Sequence, residues 1–369
     1  MQRLMSAGGL NILLIEPFYG GFRRQVLDVF RRHTRHRVRI LKLPARRPER
    51  RLQVAANWFA QQIDLHGMAV GEGAARSAKP DVVLTTEMLD LGDLLKQVPA
   101  LAKLPVVAWF LDHQLDIATP DSPLRLCNFN TAMAATEVWF ASGFACEYII
   151  ESARRQIRQN PEMPRTDPDV SIRPKSRIMP PPVSLDGLGP HAGIRGLSRR
   201  AVLVDSFRAD AELLNRMLLR MARRGEKFEV CHVGPAGVLD GEVPHRNIET
   251  RDEPGVAKAV AECGLYLSTR RSACFDPTGI AAMANGAWPI VPDDGFYAEL
   301  LPEYVHSSCL HSRNPMQLHN MLLTAFHQSV DRGAEDAWAE ALSVYDAAAS
   351  VGRLDVNLER ATSAFAFRK

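Results

Sequence analysis

Short apolar runs of strand length recur along this chain, each followed by a segment of helix length, and that rhythm restricts the fold more than any other feature. "NILLI", Asn11 to Ile15, is compact and apolar, after which Phe22, Val26, Leu27 and Phe30 recur at helical spacing with arginines expected on the opposite face. "HRVRILKLP" (His36 to Pro44) alternates apolar and basic residues as a second strand would, and a helix follows over Leu52 to Leu65. "PDVVLTT" (Pro80 to Thr86), "LPVVAWFLDHQ" (Leu104 to Gln114) and "TEVWFAS" (Thr136 to Ser142) complete a first set. Strands this uniformly apolar, separated by helices, belong to a parallel sheet covered on both faces. The first half therefore reads as a Rossmann-like α/β layer.

The pattern breaks between Arg158 and Arg200, where prolines and glycines crowd together and only "RPKSRIMPPPV" (Arg173 to Val183) looks strand-like. The βα rhythm then resumes with "AVLVDS" (Ala201 to Ser206) and a helix over Ala209 to Arg224 that Gly225 stops. "FEVCHVG" (Phe228 to Gly234) and "LYLST" (Leu265 to Thr269) are further strands around a helix at Val256 to Cys263, and "WPIVP" (Trp288 to Pro292) closes the sheet. A chain of 369 residues exceeds the usual span of one core, so two domains are expected. The predicted division is 1–157 for an N-terminal domain, 158–200 for a Pro/Gly-rich linker, and 201–369 for a C-terminal domain carrying terminal helices. Two Rossmann-like halves on one linker outline the GT-B architecture, an α/β fold whose ligands sit in a cleft between the domains.

Composition excludes several classes. The apolar fraction of 46% and charged fraction of 24% are those of a folded, water-soluble protein. No run approaches the ~18 apolar residues that span a bilayer, and the short apolar stretch Ile12 to Ile15 lacks a signal-peptide cleavage pattern, so a cytoplasmic location without a membrane span is expected. The six cysteines are scattered with no CxxC spacing, which predicts reduced, buried thiols and no metal site. GxxxxGK[ST], GxSxG and HExxH motifs are absent. Charge is unevenly distributed: residues 1–60 hold 13 Lys or Arg against three acids, most of the cations lying between Arg23 and Arg51. Such a cluster suits a polyanion, because neutralising phosphates releases counterions, and it suits a solvated face equally well.

Three places concentrate polar chemistry. Gly20 and Gly21 follow the first strand and would let a ligand approach the backbone, or would simply make a turn, with Glu16 and Tyr19 flanking the loop. Asp112, His113 and Gln114 lie at a strand's carboxyl end, the usual ligand position in an open α/β sheet. Asp112 and His113 are candidate catalytic residues, although neighbours on an extended chain face opposite ways, which favours binding over proton transfer. Asn128 and Asn130 could present amides to sugar or base hydroxyls, or cap a helix that begins near Thr131. His232, beside Cys231 in a core strand, reads as a satisfied buried histidine.

Several stretches together carry a resemblance: "LLIEPFYGGFRRQ", "LPARRPERRLQVAANWFA" (Leu43 to Ala60), "WFLDHQL" (Trp109 to Leu115), "CNFNTAMAATEVWFASGF" (Cys127 to Phe144) and "GAWPIVPDDGFYAELLP" (Gly286 to Pro302). Their order over roughly residues 10 to 305 resembles the tRNA-queuosine alpha-mannosyltransferase family. That resemblance implies a GT-B fold and transfer of mannose from the co-substrate GDP-mannose to queuosine in tRNA, with no bound cofactor. It implies an acceptor side made by Glu16, Tyr19, Gly20, Gly21, Gln114, Asn128 and Asn130, and tRNA contact through the basic Arg23 to Arg51 face.

The resemblance implies a donor side drawn from Asp205, Ser206, Arg208, Ser268, Thr269, Arg270, Arg271, Asp276, Thr278 and Gly279. The arginines would supply positive charge to a diphosphate, and the helix starting near Thr278 and Gly279 would offer backbone N–H groups. Here the chain departs from the family pattern. Leu111-Asp112-His113-Gln114 stands in place of His-Glu-Asn-Gln, and Asp205-Ser206-Phe207-Arg208-Ala209 in place of Asn-His-Arg-Trp-Glu. Ser272-Ala273-Cys274-Phe275-Asp276 replaces His-Glu-Phe-Phe-Gly, and a later glutamate falls at Ala281. A ribose that loses its carboxylate partner forfeits ~1 to 3 kcal/mol per unmet buried group. Two other functions fit this altered donor side: a catalytically degenerate GT-B binding protein, and a transferase with another nucleotide sugar and a small-molecule acceptor.

Overall fold

The computed structural model describes residues 9–65, 79–111, 123–160, 162, 166–184, 198–206, 209–249, 253–327 and 338–367. They form two compact units, one of residues 1–182 with 347–369 and one of residues 183–346.

In the first unit six strands run parallel: β1 (Asn11–Tyr19), β2 (Arg37–Pro44), β3 (Val82–Thr86), β4 (Val106–Phe110), β5 (Glu137–Phe140) and β6 (Ser176–Ile178), in the order β2-β1-β3-β4-β5-β6. β3, β4 and β5 are buried along their whole length, as a sheet covered on both faces requires. The helices are α1 (Gly21–His33), α2 (Pro48–Leu65), α3 (Leu91–Gln97), α4 (Pro123–Ala134), α5 (Gly143–Gln159) and the single turn α6 (Pro168–Ser171). Strand order reverses between β1 and β3, and ligands of open parallel sheets bind outside the carboxyl ends of strands at such a switch point.

β6 lies within the stretch that the sequence places in a linker. It adds the sixth strand beside β5, and the Trp109 indole N–H donates to the Met179 carbonyl at 3.0 Å, so residues up to Pro182 belong to the first unit. The last 23 residues also belong there, although the sequence groups them with the second half. Asp355 accepts bonds from the Thr34 hydroxyl at 2.5 Å and the Arg35 amide at 3.0 Å, anchoring the C-terminal helix to the α1–β2 turn.

The second unit repeats the design: α7 (Ala211–Arg223), α8 (Glu253–Glu262), α9 (Pro277–Ala284), α10 (Tyr297–Leu300), α11 (His306–Cys309) and α12 (Pro315–His327) surround strands β7 (Ser198–Asp205), β8 (Glu229–Val233), β9 (His245–Ile248), β10 (Cys263–Leu267), β11 (Trp288–Pro292) and β12 (Leu310–His311). The order is β12-β11-β10-β7-β8-β9, parallel throughout, with the switch point between β7 and β10. β11 does not close the sheet, because β12 pairs with it through Val291 and Leu310. All six cysteines are buried and free. Among the described residues no helix is long and apolar enough to cross a membrane.

Candidate functional site

The switch point of the first unit is held by a buried charge cluster. β1 shifts register between Glu16 and Tyr19, which turns Glu16 inward, where it is fully buried. Its carboxylate accepts bonds from the Phe18 amide at 2.7 Å, the Thr86 hydroxyl at 2.8 Å and Arg23 Nε at 3.3 Å. Arg23, 2% exposed, also ion-pairs with Glu87 and donates to the Glu87 carbonyl at 3.1 Å. The second Glu87 oxygen accepts the Leu111 amide at 3.0 Å. One guanidinium thus joins the carboxyl ends of β1 and β3, while Glu87 ties β3 to the end of β4, where the Asp112-His113-Gln114 segment departs. Burial pushes the Glu87 carboxyl above its ordinary range, with the Arg23 charge opposing the shift. Asp112, His113 and Gln114 themselves lie outside the described residues.

Neither asparagine begins a helix: Asn128 and Asn130 sit inside α4. Asn128 Oδ1 accepts the Met88 amide at 2.7 Å, supporting Met88 in the left-handed region at φ 75°, and Asn130 Nδ2 donates to Asp90 at 2.9 Å. The amide nitrogen of the fully buried Asn128 has no partner among the described residues. Tyr19 is committed too. Its hydroxyl donates to Asp28 and its ring lies under Lys42 Nζ at 4.1 Å, and burial followed by the Asp28 bond pushes its pKa up to about 12.

The glycine pair divides its labour. A Cβ on Gly20 would come within 2.5 Å of the Ala45 side chain, so close packing excludes any side chain there. Gly21 has φ 53° and open space around its Cα, so its requirement is conformational.

The basic face loses one expected member, because Arg23 is buried in the cluster rather than exposed. Arg24 and Arg31 approach Asp28, and Arg35 pairs with Glu359. Arg32, Arg37, Arg39, Arg46, Arg47 and Arg50 are exposed and have no acidic partner among the described residues. Arg37 and Arg39 stand on β2, the edge of the sheet.

In the second unit the predicted donor residues gather at the carboxyl ends of β7 and β10, except Arg208, which lies outside the described residues. Ser206 donates through its hydroxyl to the Val233 carbonyl at 3.3 Å, and Asp205 accepts the Thr278 hydroxyl at 2.9 Å. Ser268, Thr269 and Arg270 are buried. Arg270 Nη1 donates to the Phe275 carbonyl at 3.1 Å, while the exposed Arg271 pairs with Asp210 at 3.2 Å. Fully buried His311 donates from Nε2 to the Ser268 carbonyl at 2.9 Å and accepts the Arg313 amide on Nδ1 at 3.1 Å, and burial lowers its pKa. On β8, His232 Nδ1 meets Asn247 Oδ1 at 2.6 Å but Nε2 has no partner among the described residues, so this buried histidine is only half satisfied.

Asp276 governs the start of α9. One oxygen caps the helix by accepting the Gly279 amide at 3.0 Å, and the other accepts the hydroxyls of Tyr266 at 2.6 Å and Tyr297 at 2.7 Å. Both tyrosines are fully buried, and burial followed by the Asp276 charge raises their pKa values well above normal. A Cβ on Gly279 would come within 2.2 Å of the Tyr297 hydroxyl, so that hydroxyl occupies the space beside the first turn. An N-terminus that would welcome phosphate therefore already holds a carboxylate.

Sequence reading missed Arg23, Thr86, Glu87, Tyr266 and Tyr297. Two carried a signal: Arg23 is in helical register with Val26, Leu27 and Phe30 on the apolar stripe, and Glu87 directly follows an apolar strand. Nothing local distinguishes the tyrosines. No group of three or more metal-binding side chains occurs among the described residues.

Residues 11–183 match the family described as tRNA-queuosine alpha-mannosyltransferase N-terminal. Through these residues, just under half of the chain, it resembles a divergent member of that family. A tRNA-queuosine alpha-mannosyltransferase of Drosophila melanogaster is 26% identical over 188 residues, 49% of this chain and 47% of that protein, so the match spans about half the length of the curated relative. Among solved structures, an Anabaena protein in complex with UDP and glucose is similar at TM-score 0.64 and 13% identity, over 95% of this chain and 100% of that one. The catalytic domain of starch synthase IV from Arabidopsis thaliana, bound to ADP and acarbose, is similar at 0.64 and 12% over 96% and 100%. An alpha,alpha-trehalose-phosphate synthase (UDP-forming) from Burkholderia xenovorans follows at 0.62 and 12% over 95% and 100%. These likenesses show the fold: two Rossmann-like domains of the GT-B class.

Proposed function

We propose that the protein is a glycosyltransferase that moves a sugar from a nucleotide sugar to a queuosine-type acceptor in tRNA, with GDP-mannose as the donor that the family resemblance implies. The observation that carries this reading lies in the first unit: the family match over residues 11–183 coincides with the switch-point cluster and with exposed arginines, Arg37 and Arg39 among them on the edge strand, that have no acidic partner among the described residues. Those arginines would hold the tRNA backbone. Glu87 and Arg23 would position the segment at Asp112, His113 and Gln114 against the acceptor, with Asn128 and Asn130 holding the adjoining turn. In the second unit Arg271 and Arg208 would stabilise the leaving diphosphate, the step on which transfer of this type depends.

A second reading, a GT-B protein that binds without turnover, is favoured by the Asp276 carboxylate at the start of α9. The two are separated by incubating the full chain with GDP-mannose, and in parallel UDP- and ADP-sugars, together with queuosine-containing tRNA. The transferase reading expects a hexose mass added to the modified nucleoside in at least one reaction. If no donor is transferred or hydrolysed while tRNA is bound, the non-catalytic reading takes its place. Transfer or hydrolysis without salt-dependent tRNA binding would instead mark a small-molecule acceptor.

A further inference from the structure

α7 carries Arg216, Arg220 and Arg223, with Arg224 capping its end and Lys227 just beyond, all exposed. The opposite face, Leu213, Leu214, Met217, Leu218 and Met221, is buried, so every charge stands on one side. Like charges three or four residues apart weaken a helix by about 0.2–0.5 kcal/mol per pair, so this stripe works against the element that bears it.

Neutralisation around it is incomplete. Glu212 pairs with Arg216 and Glu242 with Arg223, but both pairs are solvent-exposed and hold their partners only weakly. Glu226 is shared between Arg200 at 3.8 Å and His327 at 3.6 Å. Arg220 has no acidic partner among the described residues, and α12, which packs beside α7, contains no Asp or Glu at all. Arg224 Nη1 donates to Nε2 of the buried His319 at 2.5 Å, which fixes the guanidinium and keeps that ring neutral. Arg216, Leu219, Arg220, Arg223 and Arg224 line an open groove of about 350 Å³.

We infer that this groove is a second contact surface for the sugar-phosphate backbone of an RNA acceptor, on the opposite sequence half from the basic face of β2. Guanidinium groups donate in pairs to phosphate oxygens, and Leu219 gives the groove an apolar floor against which ribose can pack. Arg216 to Arg223 covers about 10 Å along the helix axis, enough to meet more than one phosphate of a strand. Each phosphate engaged also releases counterions, which compensates for the repulsion stored in the stripe.

The inference rests on the proposal that the acceptor is tRNA, and the experiment separates the two. Binding of a tRNA transcript to the full chain is measured from 50 to 200 mM salt for the native protein, Arg220→Gln, the double variant Arg216→Gln/Arg220→Gln, the β2 variant Arg37→Gln/Arg39→Gln, and Arg155→Gln as a surface control. Glutamine keeps near-arginine helix propensity, so α7 stays folded. The slope of log affinity against log salt should shrink by about one for each α7 arginine replaced, with a several-fold weaker Kd at 50 mM salt and no change for the control. Unchanged slope and Kd in the α7 variants, with weakening in the β2 variant, overturns this surface and leaves the tRNA reading standing. Failure of the native protein to bind the transcript removes both.

Discussion

Replacing Arg23 with Met should destabilise the first unit by about 3–5 kcal/mol, the largest loss expected of any single side chain here. The guanidinium is 2% exposed and holds Glu16 and Glu87, both fully buried, at the ends of β1 and β3. Methionine fills much of the same space, so the loss comes from stranding two carboxylates rather than from a cavity. Desolvation already lifts the Glu87 pKa, and Arg23 is the main group opposing it. Without Arg23 that pKa climbs further. A folded-state carboxyl with a raised pKa binds its proton more tightly than the unfolded chain does. Stability therefore declines as pH rises from the ordinary carboxyl value through the raised one. Chemical denaturation of Arg23→Met should accordingly show a larger loss at pH 8 than at pH 5, and adding Glu87→Gln should recover part of it. A loss below about 1 kcal/mol at both values would mean that the cluster does not anchor the switch point.

Arg23 also illustrates what was and was not legible in the sequence. Its position in the α1 stripe with Val26, Leu27 and Phe30 marks it for burial, but an arginine among arginines reads as part of a charged face until Glu16 and Glu87 are known to lie beneath it. The strands were legible because their apolar runs and the helical periodicity between them are local properties. β9, "HRNI", and the two-residue β12 were not, since neither is apolar enough to stand out and each becomes a strand only by pairing with β8 or β11. β6 looked strand-like, yet its place beside β5 depends on contacts such as Trp109 to Met179, which are 70 residues apart. The same limit applies at α9. "FDPTG" announces a helix start with its own cap, but nothing in it shows that Tyr266 and Tyr297 converge on that cap from 10 and 21 residues away.

That convergence gives the second large effect: Asp276→Gly should raise affinity for a nucleoside diphosphate at least tenfold, equivalent to about 1.4 kcal/mol. Asp276 stands where the family resemblance implies a glycine, and its carboxylate faces the N-terminal turn of α9 with both oxygens engaged. A diphosphate approaching that turn would meet a like charge, and two unit charges ~4 Å apart near a protein surface repel by about 4 kcal/mol. Glycine removes the charge and frees the Gly279 amide. It also leaves the two tyrosine hydroxyls without their acceptor, at ~1 to 3 kcal/mol each, so the variant should melt earlier than the native chain when no nucleotide is present. Asp276→Asn, which keeps a cap and one tyrosine bond, should fall between the two in both stability and affinity. Calorimetric titration with GDP and UDP decides the matter. Tight binding to the native chain with no gain in Asp276→Gly would clear Asp276 as an obstacle and strengthen the transferase reading. A gain confined to the variants would identify the carboxylate as a resident substitute for donor phosphate, and the family's donor chemistry as what this chain has given up.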